Sequence, residues 1–271
     1  MKGVQDNAHC AHYYLEGFIV STPITKFLHQ FRSKLKTMNK IFVVIMLLSI
    51  CTFAHAQKRK PIDKNASPET KALFKNLMKL SKRHTLFGHQ HATEYGHGWS
   101  GEKGRSDVKS VTGSHPAVIG VDFSGFSGRS DDAIAHAKNA LKQNVIDTYN
   151  RGGVTTVAWH FSNPVSRGGF YWVDSLSLPA VKYIIPGGEA HQQFKDILKG
   201  IGTWANSVKG ADGNLVPMIF RPYHEFDGGW FWWGKPHCSK EEFVSLWQFT
   251  VSYLRDSLEV HNFIYAFSPD N

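Results

Sequence analysis

Between Ile219 and Trp233 the chain reads Ile-Phe-Arg-Pro-Tyr-His-Glu-Phe-Asp-Gly-Gly-Trp-Phe-Trp-Trp. A short apolar run, Val216 to Phe220, leads into the carboxylate of Glu225. Two glycines follow, then three tryptophans within four positions. A carboxyl group among aromatic rings suits the cleavage of glycosidic bonds. Ring faces hold the apolar faces of sugars, and desolvation keeps a carboxylic acid protonated near neutral pH. The same run also suits a Trp-rich loop packed on the core, with Glu225 solvated at its edge.

The elements that would carry these residues alternate. Ser67-Pro68-Glu69 reads as a helix start, with Leu73, Phe74, Leu77 and Met78 at helical spacing behind it. Thr85 to Gly88 reads as a strand ending in His89-Gln90-His91, and residues 92–115 as a long Gly-, Ser- and charge-rich loop. Ala117 to Asp122 is an apolar strand ending in an acid, as a strand buried on both faces should look. A helix over Asp131 to Asn150 and a strand over Val154 to His160 follow. A loop with Pro164, Pro179, Pro186 and Gly187 then leads to Glu189. Phe194, Ile197, Leu198, Ile201, Trp204 and Val208 mark the next helix, and Leu215 to Phe220 the next strand. Ser239 and Glu242 form a capping-box pattern before a helix, and Asn262 to Phe267 is a further strand.

Strand–helix alternation predicts an α/β fold with a parallel sheet and helical crossovers. Every expected strand ends in a chemically able residue: His89, Asp122, His160, Glu225, or Ser268 to Asn271. Such a gathering is the mark of the active face of a (β/α)8 TIM barrel. About five of its eight strands are visible, so the barrel is expected to be incomplete, with residues 67–271 its N-terminal portion. A doubly wound sheet is the other candidate, but no Gly-rich phosphate loop follows the first strand.

Lys and Arg number 31 against 22 Asp and Glu, a formal charge of +9. Six of the basic and two of the acidic residues lie in residues 1–56, so the remainder carries only +5. Those charges are scattered, which argues against a nucleic-acid partner. Met38-Asn39-Lys40, the apolar run Ile41 to Ala54 and Ala54-His55-Ala56 are the three parts of a secretory signal. Residues 38–56 are therefore read as a signal peptide and 1–37 as a leader preceding the true start at Met38. The apolar run is shorter than the roughly 20 residues of a membrane span. The expected location is periplasmic or extracellular. Residues 57–66 read as a basic linker. Cys10 falls in the leader and Cys51 in the signal peptide, leaving Cys238 with no partner and the core to supply stability.

Arg221-Pro222-Tyr223-His224-Glu225 with Gly229-Trp230-Phe231-Trp232-Trp233-Gly234, preceded by Gly88-His89-Gln90 and Trp159-His160, resembles glycoside hydrolase family 26. Most such enzymes are endo-β-1,4-mannanases, and the likeness spans about residues 66–271. The resemblance implies a (β/α)8 barrel whose acid/base glutamate ends the fourth strand, where Glu225 falls. It places His224 where a histidine supports the reacting carboxylates and Trp230 at an aromatic platform beside the cleavage point. His160 and Trp172 match sugar contacts after the third strand. Arg221 either orients the acid or makes a structural ion pair. The implied reaction is a retaining double displacement on mannan, galactomannan or glucomannan, with β-1,3-xylan and mixed-linkage glucan as the substrates of some relatives. The family's nucleophile ends a seventh strand, so it is expected beyond Asn271, and residues 1–271 alone are expected to be inactive. No cofactor is implied, and the polysaccharide is the one partner of a monomer.

Two other readings use the same residues. His89-x-His91 at a first barrel strand resembles the start of a metal-dependent amidohydrolase, which needs further metal ligands on later strands. A glycan-binding protein could also keep the aromatic cleft without turnover. Of Trp232 and Trp233 at least one is expected to pack in the core, as are Trp204 and Trp247. His84, His97, His115, His136, His191, His237 and His261 are expected mostly at the surface.

Overall fold

A computed structural model describes residues 59–127, 129–166 and 168–270. The expected leader and signal peptide, with Cys10 and Cys51, lie outside the described residues. Residues 59–66, expected as a linker, carry neither helix nor strand. They are fastened nonetheless: buried Asp63 accepts a 2.8 Å hydrogen bond from His261 Nδ1, and Ser67 N donates to the His261 carbonyl.

Helix α1 (Pro68–Leu80) starts as its sequence dictates, the Ser67 hydroxyl accepting from Thr70 N with proline in the first turn. Strand β1 is Gly88–Gln90, three residues later than the expected Thr85 to Gly88. The shift has a steric cause. A side chain on Gly88 would meet Val118 Cβ at 3.2 Å, and one on Gly120 would meet Gln90 Oε1 at 2.0 Å, so the glycines fix where this edge strand fits. Phe87, which would lie inside the expected strand, is 63% exposed.

The loop expected over residues 92–115 contains structure of its own. Strands β2 (Tyr95–Gly96) and β3 (Trp99–Ser100) pair antiparallel, and helix α2 spans Asp107–Thr112. Asp107 organises them, accepting from His97 N at 2.7 Å and from Trp99 Nε1 at 2.6 Å. A single acid tying a hairpin to a helix leaves no periodicity to read.

The rest alternates as expected: β4 (Val118–Asp122), α3 (Asp131–Asn150), β5 (Val154–Ala158), a short α4 (Val181–Ile184), α5 (His191–Ser207), β6 (Met218–Arg221), α6 (Lys240–Ser252) and β7 (Phe263–Tyr265). Both halves of the Ser239–Glu242 capping box are formed. Strands β1, β4, β5, β6 and β7 pair in that order, all parallel. Chain order and sheet order thus coincide along this sheet.

Ile119, Val121, Val157, Met218, Phe220 and Phe263 of the sheet form one core with Leu141 and Val145 of α3, Phe194, Leu198, Ile201 and Trp204 of α5, and Leu246 of α6. Trp204 is buried and donates to the Lys138 carbonyl, whereas Trp247 is half-buried against the core. Asn262, also buried, donates to the carbonyls of Ala205 and Val216 at 3.0 Å and so fastens the start of β7 to α5. Among the described residues no helix is long and apolar enough to cross a membrane.

Candidate active site

Beyond Arg221 the chain turns sharply. Tyr223 and Glu225 both adopt left-handed backbone, φ 50° and 55°. A non-glycine residue there costs about 1–3 kcal/mol and persists only when its surroundings hold it. The holding contacts are specific. Glu225 N donates to the Ser268 carbonyl at 2.8 Å, and Lys235 N to the Phe226 carbonyl at 2.9 Å. Trp233 Nε1 donates to the His224 carbonyl at 2.9 Å. The buried Tyr223 hydroxyl lies 2.9 Å from Thr250 Oγ1, whose own proton goes to the Leu246 carbonyl, so Tyr223 is the donor.

The turn presents Glu225 to Trp230. Trp230 Nε1 donates to Glu225 Oε2 at 2.9 Å, and the Trp230 ring remains 39% exposed. Trp232 and Trp233, by contrast, are both fully buried, so the core reading holds for both. Trp232 Nε1 donates to the Phe161 carbonyl at 2.7 Å.

His224 is only 4% exposed and lies against the rings of Phe231 and His160, at centroid distances of 5.2 and 4.7 Å. Burial, with smaller repulsions from His160 and Arg221, pushes its pKa down to about 4. It is therefore neutral at physiological pH.

His160 follows β5 and reaches back to β4. Asp122 pairs in register with Ala158, so the acid sits beside the turn that leads to the histidine. His160 Nδ1 donates to Asp122 Oδ2 at 2.5 Å, and His160 N and Ser124 N donate to Oδ1 at 3.1 and 2.6 Å. Burial pushes the Asp122 carboxyl up, but the bond to His160, its charge and the two backbone donors outweigh burial and hold the carboxyl below its usual range.

Arg221 donates to Ser268 Oγ from Nε and Nη2, at 3.3 and 3.0 Å. The carbonyl of the same serine receives Glu225 N, so Arg221 reaches the acid by way of Ser268. Trp172 joins through the backbone, its N–H donating to the Trp230 carbonyl at 2.7 Å. Its ring lies flat on His237, centroids 3.7 Å apart and planes 10° apart. His237 Nε2 in turn donates to the Gly229 carbonyl at 2.7 Å. One face of Trp172 is thus occupied by His237, and the ring is half-buried against the core. His237 was expected only as a surface residue, and nothing in its own sequence neighbourhood marks this role.

At the end of β1, His89 is exposed and His91 bonds to Glu94, which with its charge raises the His91 pKa against the opposing effect of burial. Among the described residues no group of three or more His, Cys, Asp or Glu side chains is arranged to hold a metal ion.

The structure therefore brings Glu225, Trp230, His224, His160 and Arg221 together at the C-terminal ends of β5 and β6, with Trp172 attached from the intervening loop.

The model of glycosyl hydrolase family 26 matches residues 62–271. A mannan endo-1,4-beta-mannosidase of Bifidobacterium adolescentis is 39% identical over 214 residues, 76% of this chain and 21% of that protein. One from Bacillus subtilis strain 168 is 24% identical over 246 residues, 84% of this chain and 65% of that protein. Among solved structures, GH26C from Muricauda sp. MAR_2010_75 superposes with a TM-score of 0.71 at 39% identity, covering 77% of this chain and 57% of that one. A GH26 β-mannanase from Bacteroides ovatus gives 0.67 at 38% identity, covering 75% and 58%. The chain thus spans less than two thirds of the length of each of these relatives. The five parallel strands and their crossovers are part of a (β/α)8 barrel. With the motif around Glu225 and more than half of the sequence matched, the chain belongs to glycosyl hydrolase family 26.

Proposed function

We propose that the protein is an exported endo-β-1,4-mannanase that acts as a monomer on mannan, galactomannan or glucomannan with retention of configuration. The observation that carries this reading is the pairing of Glu225 with the exposed indole of Trp230 at the end of β6. The names of the Bifidobacterium and Bacillus relatives support the choice of polymer.

In this mechanism Glu225 protonates the departing glycosidic oxygen, then takes a proton from the incoming water. Trp230 holds the carboxyl by its N–H and offers a ring face to the sugar. Neutral His224 lines the site without adding a positive charge that would favour the ionised acid. Arg221 steadies the Glu225 turn through Ser268, and His160 and Trp172 contact the sugar. The carboxylate that attacks the anomeric carbon, about 5–5.5 Å from the acid in retaining enzymes, is assigned to none of the described residues. Asp122 is disqualified because its oxygens are buried and bonded to three N–H groups. Export rests on residues 38–56 and is checked by fractionating the producing cells.

The test is reducing-sugar release from β-1,4-mannan by the full-length protein and by its Glu225→Gln variant, residues 1–271 alone being expected to release none. Loss of the acid should lower the rate by about 10²–10⁴-fold. Mannan binding without hydrolysis, unchanged in Glu225→Ala, would instead establish a glycan-binding protein.

A further inference from the structure

Asp122 is the one acid of the site whose surroundings rule out contact with substrate. Its side chain is 4% exposed, whereas that of His160, which covers it, is 30% exposed. Whatever Asp122 does at the cleft, it does through that imidazole. We infer that Asp122 is a positioning residue that fixes the His160 ring with Nδ1 donating to the carboxylate, so that Nε2 faces the cleft and, in the neutral form of the ring, accepts a hydrogen bond from a sugar hydroxyl. This deepens the mannanase reading and rests on it.

The donor count makes the inference specific. Two backbone N–H groups, from Ser124 and His160, converge on Oδ1, and the imidazole N–H takes Oδ2. Both carboxylate oxygens are therefore needed as acceptors. The ring cannot turn to exchange its nitrogens without losing the 2.5 Å bond and pushing against its neighbours. Phe170 lies edge-on at 4.7 Å, Phe231 at 5.5 Å and His224 at 4.7 Å. With Nδ1 spent on Asp122, Nε2 is the ring nitrogen left to meet the substrate, and in the neutral form of the ring it accepts from a substrate group that donates. An acid holding an imidazole in one tautomer and orientation is an established way to set what the opposite nitrogen can do.

Asp122→Asn separates this role from simple packing, because the amide is nearly isosteric but has one acceptor oxygen. That oxygen keeps the two backbone N–H groups, so the amide NH₂ faces Nδ1 and the ring proton must move to Nε2. Ring-nitrogen NMR shifts of histidine-labelled protein at alkaline pH, where the ring is neutral, with the His160 signals identified by their loss in His160→Gln, should show Nδ1–H in the parent and Nε2–H in Asp122→Asn. The kcat/KM of the full-length protein on mannan oligosaccharides should fall about ten- to hundredfold, the scale of one misdirected buried hydrogen bond. In the His160→Gln background the same substitution should cost no further activity. An unchanged tautomer, a reversed tautomer with full activity, or an equal loss in both backgrounds would each overturn the inference. Should the full-length protein release no sugar from mannan, the mannanase reading fails, and the tautomer comparison by itself upholds or overturns the positioning role.

Discussion

Acid should unfold this protein partly through one histidine. His224 is buried in the native state with its pKa pushed down to about 4, against the usual 6.5 that it regains when the chain unfolds. Between those values the unfolded chain holds a proton that the folded chain does not, so stability rises with pH across the window. Lowering the pH from 6.5 towards 4 therefore removes stability, and below 4 this contribution changes no further. At about 1.4 kcal/mol per pKa unit, the separation amounts to about 3 kcal/mol, a large fraction of the 5–15 kcal/mol that holds a typical domain together (roughly).

Urea titrations of the parent protein and of His224→Gln, repeated between about pH 7 and pH 4, isolate the effect. Glutamine lacks the titration, so its own cost or gain is a constant offset. Other groups shift with pH as well. Asp122, held below its usual range, loses its contribution in stronger acid, and His91, raised by Glu94, contributes in the opposite sense, its stabilisation being lost as pH rises. His91 is common to both proteins and cancels in the difference, and Asp122, held below its usual range, keeps its charge across most of the window in both. The parent should lose about 3 kcal/mol more than the variant across the window. Parallel curves would show that His224 titrates normally in the folded state and would remove the argument for a neutral imidazole beside Glu225.

Substitutions at two further positions separate packing from recognition. Trp232→Ala should cost about 3–5 kcal/mol of stability by opening a cavity in the core, while Trp232→Phe should cost about 1–3 kcal/mol for the unpaired Phe161 carbonyl; denaturant midpoints measure both. His237→Ala removes the backing ring from Trp172 and should raise KM for mannan oligosaccharides about two- to tenfold with kcat nearly kept. A matching fall in kcat would place His237 closer to the reaction than this structure does.

How far the sequence shows all this depends on how local each cause is. Helices α3, α5 and α6 were legible because their apolar spacing, and for α6 the capping box, is written into consecutive residues. Strands β4 and β6 were legible as apolar runs, and the motif around Glu225 named the site. The start of β1 was not, because its register depends on two glycines meeting side chains of a neighbouring strand. The hairpin β2–β3 was missed because it hangs on Asp107, an acid several residues away from the groups it binds. His237 and Asn262 escaped for the same reason, their partners lying in other loops or elements. The fate of the tryptophans could be narrowed but not divided among positions, since burial of Trp233 is decided by the fold of its own turn.

That division explains why so many aromatic residues follow one carboxylate. The Glu225 turn places two side chains in left-handed backbone, at a cost of about 1–3 kcal/mol each, and a turn so strained would relax if nothing opposed it. Trp233 opposes it from within, bonding the His224 carbonyl between the two strained residues, and Tyr223 locks the entry to the turn against α6. Trp232 pins the same segment to the loop after β5, through the Phe161 carbonyl. Only Trp230 is left exposed, and it alone bonds the carboxylate. The aromatic run is thus two devices in one stretch. Buried indoles stabilise a conformation the backbone would otherwise avoid, and that conformation is what turns the acid and its remaining indole towards the cleft. A mutation in either device should therefore disturb the site, but by different routes: loss of Trp230 acts on the carboxyl directly, and loss of Trp232 or Trp233 acts by letting the turn relax.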